Sequence, residues 1–264
     1  MGARTHGRGD GQLSLYDEAA LLTRLSERQT KLVSELLQQA AEATHVSEEK
    51  ARLERDLAGS LDRLQEVHHR VRNHLQTVTG LLSAQEIGEK SLTARRALQK
   101  SVERLTSIAA IHDLLARDPS SGLLRLPELA QTLARHLLRQ SNAGQRLRIV
   151  TDVSPLSLNA KRATAFVLVL TELVSNAIEH GFEEGERGEI SVRVAQQGEA
   201  AVLEVRDSGR GLPPGFDIEA GNSLGLRLVA RLAERDLNGL VETYNDGGAC
   251  FRVVFPLEFP EENQ

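Results

Sequence analysis

The sequence predicts an α+β protein in which a coiled-coil arm and a helical hairpin precede an α/β sandwich, with helices on one face of a mixed sheet. Three observations predict it. No Pro occurs between Leu13 and Gly80, and Gly59 is the only Gly inside that stretch, whereas both residue types recur every few positions after Ser120. Apolar residues in the early part recur at spacings of three and four, the mark of a helical stripe. Beyond Gly122, short runs of alternating apolar and polar residues are separated by helical segments and Gly-bearing turns.

Residues 1–12 are Gly- and Arg-rich and read as a disordered tail. The arm, 13–56, carries Leu21, Leu22, Leu25, Leu32, Val33, Leu36 and Leu37 before a weaker Ala-rich stretch leading to Leu53. Its heptads are imperfect, but a coiled coil is the expected form. No compact ligand-sensing domain is evident.

Residues 57–118 form the hairpin. Its first helix continues the arm to about residue 85 with Leu57, Leu61, Leu64, Val67, Val71, Leu75, Val78 and Leu82 on one stripe. After a loop from Glu86 to Ser91, Ser91 caps a second helix that runs to Arg117 and stops at Asp118 to Gly122. Leu92, Leu98, Val102, Leu105, Ile108, Ile111 and Leu115 supply the second stripe. Two helices rarely bury both stripes, so a four-helix bundle in a homodimer is expected.

The sandwich spans 123–258, with a tail at 259–264. A helix from Pro127 to Gln140 precedes a strand from Arg146 to Val153, and a buried helix runs from Ala160 to His180. Strands at Ile190–Ala195 and Ala201–Asp207 turn around Gly198; a helix begins at Ser223, and two closing strands meet at Asn245–Gly248.

Composition narrows the function. The chain has 264 residues, a net charge of -5, no Trp, two Tyr and six Phe. Few platforms exist for stacked bases and no general positive field attracts phosphate backbones, so direct nucleic-acid binding is not expected. A single cysteine, Cys250, excludes an internal disulfide and a Cys-cluster metal site. No run of about 18 apolar residues is present to span a membrane, and a cytoplasmic location is expected.

Two places invite chemistry. On the hairpin, His68 falls roughly 40° and His69 roughly 140° from the stripe centre at about 100° per residue. Adjacent histidines on a helix are ordinarily one partly buried and one solvated, but an exposed imidazole on a rigid helix is also a potential nucleophile. On the buried helix, Glu172, Asn176 and His180 stand at successive i, i+4 positions along an otherwise apolar surface. Such a line is either a satisfied internal network or a site for a polar ligand or metal. Downstream, Asp207-x-Gly209-x-Gly211 at a strand end and Ser223-Leu224-Gly225 at a helix start offer an acceptor for an amino group, close backbone approach and unpaired N–H groups for phosphate.

The ordered set Glu172-x-x-x-Asn176-x-x-x-His180-Gly181, Asp207-x-Gly209-x-Gly211 and Ser223-Leu224-Gly225 resembles the Bergerat ATP-binding fold of histidine kinases. The segments Glu66 to Gln76 and Arg104 to Leu115 resemble the dimerisation and phosphoacceptor region of the HisKA_2 subfamily. The resemblance spans about residues 60–258 and implies an ATP- and Mg²⁺-dependent, homodimeric protein-histidine kinase whose partner is the receiver domain of a response regulator. It makes His69 the phosphoacceptor and Asn176 the Mg²⁺ ligand, with Glu172, Ala177, Glu179 and His180 nearby. It makes Asp207 the adenine acceptor, with Gly209, Gly211 and Leu212 shaping the pocket and Ser223, Leu224 and Gly225 beside the phosphates. Leu212 to Asn222 would be a mobile ATP lid, and the base would be recognised through Asp207 and backbone groups without an aromatic stack. Arg70 stands where many such kinases carry an acid directly after the acceptor, so Glu66 and Glu172 are both candidates for the general base. Asn73, four residues after His69, matches the offset of a residue that orients hydrolytic water in phosphatase-competent relatives. An anti-sigma-factor-type serine kinase shares the ATP-binding motifs but has no use for the hairpin, and a non-catalytic coiled-coil adaptor would not need the intact Asn176 and Asp207.

Overall fold

The computed structural model describes residues 15–117, 122–141, 143–144, 146–218 and 223–257. The tails expected at 1–12 and 259–264, the helix stop at 118–121 and the distal end of the lid at 219–222 lie outside them. The described chain forms helices α1 (Leu15–Gly88), α2 (Leu92–Arg117), α3 (Leu126–Gln140), α4 (Ala160–Asn176) and α5 (Leu224–Arg235). Its strands are β1 (Leu123–Arg125), β2 (Leu147–Val153), β3 (Ser157–Asn159), β4 (Gly188–Gln197), β5 (Ala200–Asp207), β6 (Leu240–Asn245) and β7 (Ala249–Pro256). Contacts divide the chain into two units, one ending at Ser60 and one beginning at Leu61, so the hairpin from Leu61 onward and the sandwich are one compact unit.

The arm is helical, and Leu25, Leu32, Val33, Leu36, Leu37 and Leu53 are exposed on it. α1 runs three residues beyond the expected end at 85, because the break in the chain is at Glu89 to Ser91. Ser91 caps α2 as expected: its hydroxyl accepts the Ala94 N–H at 3.4 Å, while Glu89 Oε1 accepts the Ser91 N–H at 2.7 Å. The two hairpin stripes have different fates. Leu64, Val67 and Val78 of α1 are exposed, whereas α2 starts with an exposed Leu92 and ends with Ile111 and Leu115 buried in the core of the sandwich.

The main sheet has the order β2-β4-β5-β7-β6, with β2 parallel to β4 and every other pair antiparallel. Alternation sorts its faces. Ile190, Val192 and Val194 of β4, Ala201, Leu203 and Val205 of β5, and Phe251, Val253 and Phe255 of β7 are buried. Leu129, Leu133 and Leu137 of α3, Phe166, Leu170 and Leu173 of α4, and Leu226 and Val229 of α5 join them in one core. Phe166 meets Phe255 edge-on at 6.4 Å between centroids.

Two local features differ from expectation. β1 and β3 form a small antiparallel ladder that anchors the starts of α3 and α4. Three-residue strands are too short to show a period. The helix expected from Ala160 to His180 is α-helical only to Asn176 and continues as a π-helical turn, Ala177–Gly181. Asn159 caps its start, with Oδ1 accepting the Arg162 N–H at 3.0 Å.

Candidate nucleotide site

The pleat of β5 places Asp207 on the core face, in the same alternation as Leu203 and Val205, so the strand buries a carboxylate at its end. Asp207 Oδ1 accepts the N–H groups of Gly209 at 2.9 Å and Ala249 at 3.1 Å. Oδ2 lies on the Gly181 side, and no described residue donates to it. Two backbone donors thus set the rotamer and leave the second oxygen as an acceptor for a ligand. The loop is stitched to the π-helical turn: Arg210 N–H donates to the Gly181 carbonyl at 2.9 Å, and Arg210 Nε to the His180 carbonyl at 2.7 Å. Only glycine permits this approach, since a Cβ on Gly209 would overlap the Gly181 carbonyl oxygen. Gly211 has a φ of +77° and sits against Asn245, whose side chain accepts the Leu212 N–H at 2.7 Å and donates to the Leu212 carbonyl at 3.0 Å.

On α4, Glu172 and Asn176 are buried, while the side chain of His180 is 67% exposed. The expected straight polar line is broken because a π-helical turn takes more residues per revolution than the α-helix that sets i, i+4 alignment. Asn176 Nδ2 is buried and has no hydrogen-bond partner among the described residues. This position offers a buried donor or, with the amide flipped, a carbonyl oxygen. Either is costly to bury unmet.

Asn176, Ala177, His180, Gly181, Asp207 and Gly211, with Leu212 and Ser223, line one cavity of about 640 Å³. The volume is that of a small-molecule site. Glu172, Glu179, Gly209, Leu224 and Gly225, also expected at the site, do not line it. Glu172 lies beneath the start of α5, where a Cβ on Gly225 would overlap its Oε2, and its Oε1 accepts from Arg104 Nε of α2 at 2.5 Å. Glu179 pairs with Lys100 at 3.0 Å. Gly209 acts from behind, through the Gly181 contact, and Leu224 is 64% exposed.

Sequence reasoning missed Phe216 and Phe251, which line the cavity and meet edge-on at 6.1 Å between centroids. The cavity thus has an aromatic wall, which the low aromatic count did not suggest. Phe251 stands at a buried position of a closing strand, where periodicity reads it as core, and Phe216 stands in the loop after Pro213 and Pro214. Asn245 was also missed, because Asn before Asp-Gly-Gly reads as turn chemistry; its clamp on Leu212 ties that turn to the start of the segment expected as a lid.

On α1, His69 is exposed and His68 half-buried, as the helical spacing predicts. The rings of His68 and His112 share a hydrogen bond, Nδ1 to Nδ1 at 3.2 Å. Burial, then the neighbouring His68, pulls the His112 pKa below the usual imidazole range, against Asp113. His68 is thus engaged in holding α1 to α2, beside an Arg72–Asp113 ion pair of 2.9 Å. Glu66 accepts from Arg70 at 2.7 Å; that bond and the cationic charge of Arg70 hold its carboxyl below the usual range, so it is ionised at neutral pH. Asn73 is exposed one turn beyond His69.

A five-stranded mixed sheet covered by three helices, with a cavity of small-molecule size at the end of α4, is joined to a helical hairpin that carries an exposed histidine. The chain belongs to the histidine kinases: residues 66–141 match the HisKA_2 histidine kinase family, and residues 161–259 match the histidine kinase-, DNA gyrase B- and HSP90-like ATPase family. It is 37% identical over 197 residues to the sensor histidine kinase PdtaS of Mycolicibacterium smegmatis, covering 74% of this chain and 39% of that protein. It is 37% identical over 179 residues to PdtaS of Mycobacterium tuberculosis, covering 67% of this chain and 35% of that protein. The chain therefore spans less than half the length of these curated relatives. Its fold matches the histidine kinase domain of the Erythrobacter litoralis EL346 blue-light activated kinase at a TM-score of 0.55 and 23% identity, covering 76% of this chain and 94% of that domain. Among the described residues, no helix is long and apolar enough to cross a membrane.

Proposed function

We propose that this chain is the catalytic module of a two-component sensor kinase, which phosphorylates His69 from ATP and passes the phosphoryl group to an aspartate on a response-regulator receiver domain. One observation carries the reading: a cavity with a half-engaged Asp207 and an unmet Asn176 amide lies in the same compact unit as an exposed histidine on a rigid helix. In the transfer, a ring nitrogen of His69 forms the N–P bond, the bond from the γ-phosphorus to the bridging oxygen breaks, and ADP leaves. The ring proton passes to Glu66, one turn earlier on α1; Glu172, buried and paired with Arg104, has no such access.

Asp207 Oδ2 accepts the adenine amino group, and Phe216 and Phe251 wall the base. The start of α5, from Ser223, turns unpaired N–H groups to the phosphates. Mg²⁺ fits at Asn176: the ion keeps most of its shell as water and phosphate and needs one or two protein oxygens. When bound it neutralises phosphate charge, which with alignment is most of what phosphoryl transfer requires. The exposed stripe Leu64, Val67 and Val78 supports a partner helix from a second copy, closing the bundle in a homodimer.

Incubation with labelled ATP and Mg²⁺ tests the proposal. We expect an acid-labile, alkali-tolerant label on the wild type and none on His69→Gln. Acid-stable phosphoserine on a partner, with no label on this chain, would instead point to the serine-kinase reading. The exposed Asn73 extends the proposal to hydrolysis of the phosphorylated regulator. Asn73→Ala is expected to lose dephosphorylation while retaining autophosphorylation, and unchanged dephosphorylation refutes that role.

A further inference from the structure

The turn between β6 and β7 holds two sides of the cavity at once. Asn245 and Ala249 stand opposite each other as the final pair of that ladder. The Ala249 N–H fixes Asp207 Oδ1 at 3.1 Å. The Asn245 side chain takes Leu212 at both backbone groups, accepting its N–H at 2.7 Å and donating to its carbonyl at 3.0 Å. The turn is itself anchored, since Asp246 Oδ2 pairs with Arg206 Nη1 at 2.6 Å and the Asp246 N–H donates to the Gly248 carbonyl at 3.0 Å. Gly211 completes the fit: a Cβ there would stand 2.8 Å from Asn245 Oδ1.

Holding the N–H and the carbonyl of one residue restrains its φ and ψ together, because turning about either bond misaligns a hydrogen bond. The restraint then passes along the chain. Leu212 precedes a proline, which confines it to extended backbone, and Pro213 and Pro214 have fixed φ. The Phe216 N–H donates to the Pro213 carbonyl at 3.1 Å, across Pro214 and a Gly215 with a φ of +72°. Proline at the second position and a glycine of positive φ at the third are the marks of a type II turn. The place of Phe216 therefore follows from that of Leu212. Its ring meets Phe251, two residues past Ala249 on β7, so the segment is fastened to the same part of the sheet at both ends.

Leu212, Pro213, Pro214 and Phe216 all line the cavity, whereas Asn245 does not. Asn245 thus has no contact of its own to offer a ligand and acts only through the residues it holds.

We propose that Asn245 is a positioning residue of the nucleotide site: through Leu212 and the type II turn it sets Phe216 against Phe251, so that the wall from Leu212 to Phe216 stands before the nucleotide arrives. This rests on the nucleotide reading of the cavity above. The first part of the expected lid is on this view a fixed post. A ligand that meets a wall already built bears no ordering cost for it, so the clamp raises affinity without touching the ligand.

Hydrogen exchange and nucleotide binding in the full chain test this. Without nucleotide, the wild-type amides of Leu212 and Phe216 are expected to exchange slowly. In Asn245→Ala they should exchange at least about tenfold faster and slow again when ATP is added. Calorimetric titration should show ATP affinity about tenfold lower in that variant, and the loss in autophosphorylation should fall on KM and not on kcat. Gly215→Val attacks the turn instead of the clamp. Gly215 does not line the cavity, and a Cβ there meets no atom within 4 Å, so a valine strains only the positive φ. ATP affinity about fivefold lower is expected for it. A merely structural Asn245 would lower the melting point and leave affinity and these amides unmoved. Wild-type amides that exchange freely until ATP is added, or unchanged ATP affinity in either folded variant, overturn the proposal. A wild type that binds no ATP overturns the nucleotide reading, and the positioning role with it. ATP bound without label on His69 counts against the transfer alone, because exchange and affinity still decide the role of Asn245.

Discussion

Asp207→Asn is expected to lower ATP affinity about 100-fold, or about 2.7 kcal/mol, while leaving the fold intact. The asymmetry of the carboxylate is the reason. Oδ1 accepts from Gly209 and Ala249, and an asparagine oxygen in the same place keeps both bonds. The changed atom is the one beside Gly181. There an acceptor becomes an NH₂ donor, which would face the amino group of a bound adenine donor to donor. Guanine presents a carbonyl at the corresponding edge, so the ratio of GTP to ATP affinity should rise. Calorimetric titration of both nucleotides and a thermal melt check this. Unchanged ATP affinity, or a melting point that collapses with it, would remove Asp207 from base recognition and leave it a structural carboxylate.

The same residue shows what was legible in the sequence. An acid closing an alternating strand and followed by spaced glycines is visible, because strand period and turn chemistry are local. Ser91 as a cap and the hairpin helices were legible for the same reason. What escaped depends on distant segments. The role of Gly209 comes from the Gly181 carbonyl across the loop, and the clamp on Leu212 comes from Asn245, 33 positions later at the end of the edge strand β6.

The π-helical turn is a subtler case. Ala177 to Gly181 have ordinary helical sequence, and the turn coincides with the docking of Arg210 on the His180 and Gly181 carbonyls. Spacing alone puts His180 in a straight line with Asn176; the wider turn leaves its side chain 67% exposed, although it still lines the same cavity. Glu172 is expected close to the metal, its waters or the phosphates, and nothing in α4 itself announces that Arg104, 68 positions earlier, also meets it. The aromatic poverty also misled. Six phenylalanines are few, but Phe216 and Phe251 line the candidate cavity, so the count bore on the whole surface and not on this wall.

Arg162→Met should cost the largest share of stability, about 3–5 kcal/mol and about 10 °C in melting temperature. Arg162 stands in the first turn of α4 and is 6% exposed. Its guanidinium donates to the carbonyls of Leu257 at 2.8 Å and Leu237 at 3.4 Å, and to that of Pro256, while lying 5.6 Å from the centroid of Phe255. One side chain thus ties the start of α4 to the segment after α5 and to the end of β7. Methionine preserves much of the apolar stem but removes every donor, stranding carbonyls that have little access to water. Arg162→Lys should recover only part of the loss, because an ammonium cannot span acceptors arranged for a planar fork. Asn176 is fourteen residues further along the helix, about 21 Å at 1.5 Å per residue. Phosphorylation per folded molecule should therefore survive at low temperature. A melting point within about 2 °C of wild type for Arg162→Met would show that the three carbonyls find other donors, and that α4 is held by its apolar face alone.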